Sequence, residues 1–330
     1  MSEYKAWTDS YQGEPAVWLR AGKYEAVMLP ECGGNLVAFR DLEANYRFLH
    51  EPKESEMEAF KKESYSYGIP VLFPPNRYED GKFPWKGKTH QLPVNESERG
   101  NHLHGFLHNV PWKVTEMGQT SSESFVTVQV QVDENHPVFQ SFPFRFTFML
   151  RYALSENGLS QQVTIRNNGT EEMPSLLAFH TAVNVPFAAN SPAEGYRVKL
   201  TIGERWELNE RMLPTKRFQP FGSLDTSLKN EGIYPFTEEM DNHYTVQPQN
   251  GRNRMELTDT TLGVTFVYDA GTAYKQWMIW NNFNRGEFFC PEPQVNLVNA
   301  PNVDLPAEEV GLYSIGPGEI WESVSRMYVK

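Results

Sequence analysis

Apolar and polar positions alternate strictly through the middle of the chain. Val126, Val128, Val130 and Val132 alternate with Thr127, Gln129 and Gln131, and Phe144, Phe146, Phe148 and Leu150 alternate with Arg145, Thr147 and Met149. A period of two puts one set of side chains on one face of an extended segment, so these runs predict half-buried strands. Asn157-Gly158 and Asn168-Gly169 bracket Leu159 to Arg166, which predicts tight turns between consecutive strands and antiparallel pairing. Further strand-like runs lie at Tyr196 to Ile202, Arg254 to Thr258, Val264 to Tyr268, Gln276 to Trp280 and Leu312 to Ile315. One short helix is predicted over Lys53 to Lys62, where Glu58 and Lys62 stand in the favourable order for an ion pair. No repeat, low-complexity tract or Gly/Ser linker marks a boundary. With 23 prolines and 23 glycines spread along the chain, the pattern predicts an all-β fold, a large antiparallel β-sandwich, with residues 1–330 forming a single domain.

Composition narrows the class. The chain has 330 residues, 39% of them hydrophobic and 13% aromatic, enough to build a large core without disulfide or metal staples. Its 42 acidic residues against 30 basic ones give a net charge of -12, which repels nucleic acid and anionic membranes, so neither is an expected partner. The segment MSEYKAWTDSYQGEPAVW lacks the basic and apolar regions of a signal peptide, and no stretch has the length of a membrane-spanning helix. Cys32 and Cys290, the only cysteines, form no disulfide framework and no metal-ligand spacing. They read as buried small apolar residues of a cytoplasmic protein.

Three distant segments carry candidate chemistry: HLHGF from His102, AFHTAVN from Ala178 and PEPQ from Pro291. Glu292 stands between two prolines without amide hydrogens, in a rigid, irregular strand-to-loop segment; the plain alternative is an exposed loop acid. Phe288 and Phe289 nearby predict partial desolvation and a raised pKa. His180 follows the apolar run Ser175 to Phe179 and is placed at a strand end beside a cleft, or is a packed core histidine. An imidazole with a positioned carboxylate suits proton transfer at a hemiacetal, where one oxygen loses a proton while another gains one. His102 and His104 would share a face of a strand, which also suits a metal. The positions that follow are Leu107, His108 and Asn109 rather than a carboxylate, so no metal site is expected. Arg77 offers forked hydrogen bonds to sugar hydroxyls or a phosphate, or else a salt bridge to Glu79 or Asp80. Trp277, Trp280 and Phe283 offer an apolar floor for a pyranose ring, or simply core.

Taken in order, GIPVLFPPNRYEDGKF from Gly68, NHLHGFLHNVPW from Asn101, His180 with Asn184, ELNERMLPT from Glu207, DNHY from Asp241 and PEPQ resemble the aldose 1-epimerase (galactose mutarotase) family and its hexose-phosphate epimerase relatives. The resemblance implies a β-supersandwich with a sugar site in a groove of one sheet, and no cofactor. It implies Glu292 as the base at the anomeric hydroxyl and His180 as the acid at the ring oxygen. Arg77, His104 and Asp241 are implied as sugar-binding residues, with Asn242 or His243 as alternatives to Asp241 if the alignment slides. Many members carry Pro-Tyr-Phe after the histidine, where this chain has Thr181, Ala182 and Val183; that departure puts galactose specificity in doubt. The HGF sequence with Trp112 leans toward the hexose-phosphate branch, and NRYEDGKF with LPT toward the free-sugar branch.

The expected activity is interconversion of the α and β anomers of a free hexose by a monomer or homodimer. One rival is a hexose-6-phosphate 1-epimerase, for which Lys82, Lys86 and Lys88 offer a basic cluster at the mouth. Another is a non-catalytic carbohydrate-binding protein that keeps the groove without turnover. A nearby acid, Glu292 or Asp241, is expected to raise the His180 pKa so that activity persists above neutral pH.

Overall fold

The computed structural model describes residues 3–330. Three antiparallel sheets dominate it. The N-terminal sheet is a five-stranded meander from Tyr4–Tyr11 through Tyr46–Arg47. An eight-stranded sheet then runs, in spatial order, through Lys113–Gln119, Ser124–Val132, Phe146–Ser155, Gly158–Asn167, Ile320–Val329, Val264–Asp269, Arg254–Asp259 and Tyr196–Leu200. The third sheet is also eight-stranded and contains Ile202–Leu208, Asp241–Val246, Gln276–Trp280 and Glu287–Gln294, flanked by the short strands Ala178–Phe179, Val183–Val185 and Val71–Leu72. No helix among the described residues is long and apolar enough to cross a membrane.

The alternation seen in the sequence becomes the interior of this sandwich. Val128 pairs with Leu150 and Val130 with Phe148, all buried, while Gln131 on the other face is exposed. Aromatic contacts stitch the sheets together: Phe48 stacks on Phe266 at 4.7 Å between the first and second sheets, and Tyr268 meets Trp277 at 6.2 Å between the second and third. Burying such rings removes their apolar area from water, at about 25 cal/mol per Å², and one continuous core runs from Val17 to Met327.

The two Asn-Gly pairs behave differently. Beside Asn157-Gly158 the strands meet in the two-residue turn Glu156-Asn157, with Ser155 paired to Gly158, whose φ is +110° and whose absent Cβ would lie 2.2 Å from the Met327 carbonyl oxygen. Only glycine fits there. At Asn168-Gly169 the chain instead leaves the sheet, because the edge of Gly158–Asn167 is taken by the C-terminal strand Ile320–Val329. The run Tyr196 to Ile202 is likewise not one strand. It breaks at Thr201, whose hydroxyl accepts the Arg254 amide at 2.9 Å, and Tyr196–Leu200 and Ile202–Leu208 lie in different sheets.

The helix expected at Lys53 to Lys62 is present as a 3-10 turn, Glu54–Glu56, leading into Met57–Lys62. A second helix, Ser223–Asn230, was not anticipated, since its sequence is polar and only Asp225 and Leu228 are buried. Its anchor is tertiary: buried Asp225 accepts the Tyr244 hydroxyl at 2.6 Å and the Gly222 amide at 2.9 Å.

A strap from Tyr67 to Pro70 crosses toward the third sheet and is pinned by buried Asn35, which accepts the Ile69 amide at 2.8 Å and donates to the Tyr67 carbonyl at 3.0 Å. Asn35→Ala leaves both backbone groups without their partners, and the expected loss of stability is about 2 kcal/mol or more. Urea unfolding measures it; a loss below about 0.5 kcal/mol would show that the strap is held by other contacts.

Candidate active site

Sheet register decides which side chains face the groove. Met278 pairs with Glu292, Trp280 with Cys290 and with Asp241, and Met278 also with His243. Alternation therefore puts Asp241, His243, Met278, Trp280, Cys290, Glu292 and Gln294 on one face. Asn242, Tyr244, Trp277, Ile279, Pro291 and Pro293 point to the other. Trp277 is thereby core, donating to the Asn253 side chain at 2.7 Å, and not part of a sugar floor.

PEPQ lies inside the strand Glu287–Gln294 and not in a loop. Prolines within a sheet need a side where no ladder bond is required. Here Cys290 to Gln294 pair with Gln276–Trp280. On its other side the strand pairs with Val183–Val185 at Glu287 to Phe289 and with Ala178 at Gln294, leaving Cys290 to Pro293 without a ladder partner. The chain that faces this gap bonds instead on its other side, where the His180 amide donates to the Pro70 carbonyl at 3.1 Å and the Ala182 amide to the Gly68 carbonyl at 2.9 Å. The chain at 180–182 thus bows out toward the strap, and His180 Nε2 comes to rest 3.1 Å from Glu292 Oε1.

His180, Glu292, Arg77, His104 and Asp241 all line one cavity of about 380 Å³. The sequence-based set is brought together in full, and Asn242 and His243 lie outside the lining. Arg77 is paired differently from expectation. Its Nε donates to both oxygens of Glu96 at 3.1 Å and its Nη2 is 3.8 Å from Asp241, whereas Glu79 and Asp80 are held by Arg211 at 3.0 and 2.9 Å. Arg211, from the ELNERMLPT segment, also donates to the Arg99 carbonyl at 2.7 Å, so this motif clamps the loops under the site.

The HLHGF histidines part company. The strand Asn101–Leu103 ends before His104, whose φ of +67° turns its ring into the cavity 5.2 Å from the His180 ring. Gly105 follows with the same φ, and a Cβ there would meet the Phe73 carbonyl carbon at 2.4 Å, so only glycine lets the turn pack this closely. His102 is instead engaged with the Pro93 carbonyl at 2.7 Å, and His108 is buried in the turn Leu107–Asn109 and not at the mouth. Asn184, matched as part of the site motif, donates to the Arg47 and Leu49 carbonyls at 3.0 and 2.6 Å and touches His50. It fastens the first sheet to the third.

Several lining residues escaped the sequence reading. Tyr65 packs against both His104 and His180, at 5.1 and 5.6 Å, with its hydroxyl donating to Glu63 at 3.0 Å. Glu96, Arg99 and Arg285 also line the cavity. Tyr65 stands just before the GIPVLFPP motif, the one signal that would have pointed to it. Lys82, Lys86 and Lys88 lie on a separate hairpin, and Lys86 and Lys88 pair with Glu172 and Glu171 away from the mouth.

Burial sets the electrostatics. Desolvation pushes His180 down to about 3, in place of the expected rise, and pushes Glu292 well above the carboxylate range with help from the Asp241 charge. The opposed shifts describe one coupled unit: imidazole with carboxylic acid, and imidazolium with carboxylate, hold the same protons. Burial also raises Asp241, against the pull of Arg77 and Arg99, and keeps His104 neutral. An aromatic wall, Trp280, stands 5.7 Å from the His180 ring. The arrangement can pass a proton each way beside a bound polar ligand.

The chain matches the aldose 1-epimerase family over residues 15–328, and it belongs to that family. A galactose mutarotase-like protein from Clostridium acetobutylicum superposes with a TM-score of 0.95 and 30% identity, covering 99% of each chain. Galactose 1-epimerase from Lactobacillus acidophilus NCFM shares the fold at a TM-score of 0.73 and 14% identity, covering 100% of this chain and 98% of that one. YihR of Escherichia coli K12, an uncharacterized protein, is 25% identical over 210 residues, which span 63% of this chain and 62% of YihR.

Five buried histidines give a test of these electrostatics. Burial lowers His180 and His243 to about 3 and His102 and His108 to about 4, and His104 lies well below 6.5. Each stays neutral in the fold while the unfolded chain takes up protons below about 6.5, so its stabilising contribution is lost as pH falls toward 4. Glu292 and Asp241, raised by burial, have the opposite sign: each contributes stability that grows as pH falls through its raised folded value and is complete below the ordinary carboxylate value, but they are two groups against five. The melting temperature is expected to fall steadily from pH 6.5 to 4; a flat profile there contradicts the shifts.

Proposed function

We propose that the protein is an aldose 1-epimerase that interconverts the α and β anomers of a free hexose, with His180 and Glu292 as its proton-transfer pair. The observation that carries this reading is their 3.1 Å contact in a cavity also lined by Arg77, His104 and Asp241. Glu292 takes the proton of the C1 hydroxyl while His180 gives one to the ring oxygen. The C1–O5 electron pair moves to O5, and the C1–O1 bond becomes the carbonyl. Opening thus starts from imidazolium and carboxylate and ends with imidazole and carboxylic acid, and closure after rotation about C1–C2 reverses it. The pair gains and loses one proton in the same step, so the cycle needs no exchange with bulk water. Its low-dielectric setting favours the neutral partners that the open-chain stage requires.

Binding is assigned to Arg77 and Asp241, which present a guanidinium and a carboxylate for hydroxyls, and to neutral His104 beside the ring oxygen. Trp280 supplies the apolar wall. A shared core from Val17 to Met327 supports treating the chain as one functional unit, and the unpaired Cys32 and Cys290 agree with a reducing cytoplasm. A hexose 6-phosphate is the second reading, favoured by Arg285, which lines the cavity and has a cation–π contact with Phe283 at 5.1 Å but no carboxylate partner among the described residues. Glu63, Glu96 and Asp241 in the same lining favour an uncharged sugar instead.

Glu292→Gln and His180→Asn are each expected to slow anomerisation at least a thousandfold, about 4 kcal/mol, with the fold intact. Polarimetry on freshly dissolved α-glucose and α-galactose reads this directly, and rates within about threefold of the parent would remove the pair from the mechanism. The parent's pH–rate profile is expected to be a broad plateau through neutrality, set by the pair as a unit. A rate that follows one ionisation between pH 6 and 7 would return His180 to an ordinary imidazole. Free hexoses are expected to outperform their 6-phosphates. A tenfold advantage in kcat/KM for glucose 6-phosphate, about 1.4 kcal/mol, would decide for the second reading.

A further inference from the structure

A second and larger cavity lies on the far side of a ring stack at His50. It has about 810 Å³ against the 380 Å³ of the catalytic cavity, and the two share no lining residue. One wall belongs to the first sheet, with Trp18 and Arg40, and the other is built by Asn184 to Phe187 and Glu287. His50 stands between the cavities. Its ring is stacked between Tyr67 at 4.9 Å and Phe288 at 4.3 Å, and Phe288 meets Trp280 at 5.9 Å, so a layer of rings separates this groove from His180.

The floor of the groove is charged and held firmly. Arg40 donates to both oxygens of Glu51 and, at 3.0 Å, to Glu25, while Arg47 reaches Glu51 at 3.3 Å. The Glu51 side chain is 7% exposed, and a charge at that depth persists because it is paired and hydrogen-bonded. Tyr11 closes one end by donating its hydroxyl to the Pro52 carbonyl at 3.0 Å. A ligand laid on such a floor need not order it first.

Above the floor, hydrogen-bonding capacity is left over. Arg47 uses one N–H group on Glu51 and is otherwise exposed. The Glu287 carboxylate has no hydrogen bond or ion pair among the described residues, and the buried Trp18 indole N–H has no partner there either. His50 adds an acceptor. Asn184 uses its amide nitrogen on the Arg47 and Leu49 carbonyls, so its oxygen faces His50 Nδ1 at 3.3 Å and Nδ1 is the protonated nitrogen. Burial lowers the His50 pKa and keeps the ring neutral, which leaves Nε2 as the acceptor.

This lining selects a class of ligand. A cation is opposed by Arg40, Arg47 and Lys53, an anion by Glu51 and Glu287, and an apolar group by the charged floor. A neutral molecule that donates and accepts many hydrogen bonds, and that offers C–H faces to Trp18 and Pro186, meets every wall. We propose that this groove is a second, non-catalytic carbohydrate-binding site, with room for more than one sugar ring. It is separate from His180 and Glu292 and does not depend on the epimerase reading.

The test is an NMR titration of the isotope-labelled full chain with methyl α-maltoside and methyl β-lactoside, which lack a free anomeric hydroxyl and are not turned over. Two tryptophan indole signals report the two places, Trp18 for the groove and Trp280 for the catalytic cavity, and Trp18→Phe and Trp280→Phe assign them. At least one glycoside is expected to shift the Trp18 signal saturably, with a Kd of about 10 mM or below. Arg47→Ala and Glu287→Ala, at exposed positions, are each expected to weaken that Kd at least fivefold while leaving the Trp280 signal in place. Asp241→Asn, which alters the catalytic cavity, is expected to leave the Trp18 response unchanged. Absence of a saturable Trp18 shift with either glycoside up to about 50 mM overturns the site. So does a Kd unchanged within twofold in both Arg47→Ala and Glu287→Ala. A Trp18 shift that follows Trp280 with the same Kd, and is weakened alike by Asp241→Asn, would be a catalytic-cavity event relayed through Phe288 and overturns it as well.

Discussion

Cys290 to Pro293 pair with Gln276–Trp280 on one side and have no ladder partner on the other, where Pro291 and Pro293 have no amide hydrogen to offer a neighbour. A missing amide hydrogen leaves the facing chain's carbonyls without a donor from this strand. On its far side that chain is held by the strap Tyr67 to Pro70, where the Pro70 and Gly68 carbonyls accept the amides of His180 and Ala182 and continue the pairing of Ala178–Phe179 with Val71–Leu72. The geometry of the His180–Glu292 pair follows from this one-sided bonding. A strand that cannot bond sideways lets the adjacent segment bow away, and the bow carries His180 to within 3.1 Å of Glu292.

The strap is therefore as much part of the site as the pair it positions. Its own conformation depends on Asn35 in the first sheet and on Gly68, where a Cβ would lie 2.4 Å from the Asn35 side-chain oxygen. The three sheets thus converge on the site: one pins the strap, one carries the carboxylate, and the third backs them through a shared aromatic core. Dryness is the energetic consequence. A carboxyl and an imidazole buried this deeply are each pushed toward neutrality, and they remain useful because their protons are shared. The same burial that tunes the pair leaves other histidines in the interior uncharged. His243 has neither ring nitrogen partnered, so its neutrality comes from burial alone and adds to the acid sensitivity of the fold.

Order of proton affinities was the point at which local reasoning went astray. A histidine beside an acid reads as a histidine with a raised pKa, and that holds where solvent screens the cost of burial. His180 is 3% exposed and Glu292 2%, and at that depth desolvation outweighs the attraction. Contact partners were misjudged for a related reason. Arg77 was weighed against its neighbours Glu79 and Asp80, but strand alternation and the crossing of two loops deliver Glu96 and Asp241 to it.

Alternating Val126 to Val132 and Phe144 to Leu150 were enough, by their period, to dictate half-buried antiparallel strands, since a strand has only two faces and only one of these is apolar. Glu292 was legible from its two prolines, and His180, Arg77, His104 and Asp241 from ordered motifs. What lay beyond the sequence were properties of segments far apart in the chain. The helix at Ser223–Asn230 depends on Tyr244 reaching Asp225. The parting of His102 from His104 depends on a left-handed residue packed against Phe73. Tyr65 and Phe283 join the site only because the strap and the loop after Trp280 are pinned by Asn35 and Asn281. Periodicity is a local property and survives in the chain as written; which donor finds which acceptor across the sheets is settled only when the chain has closed.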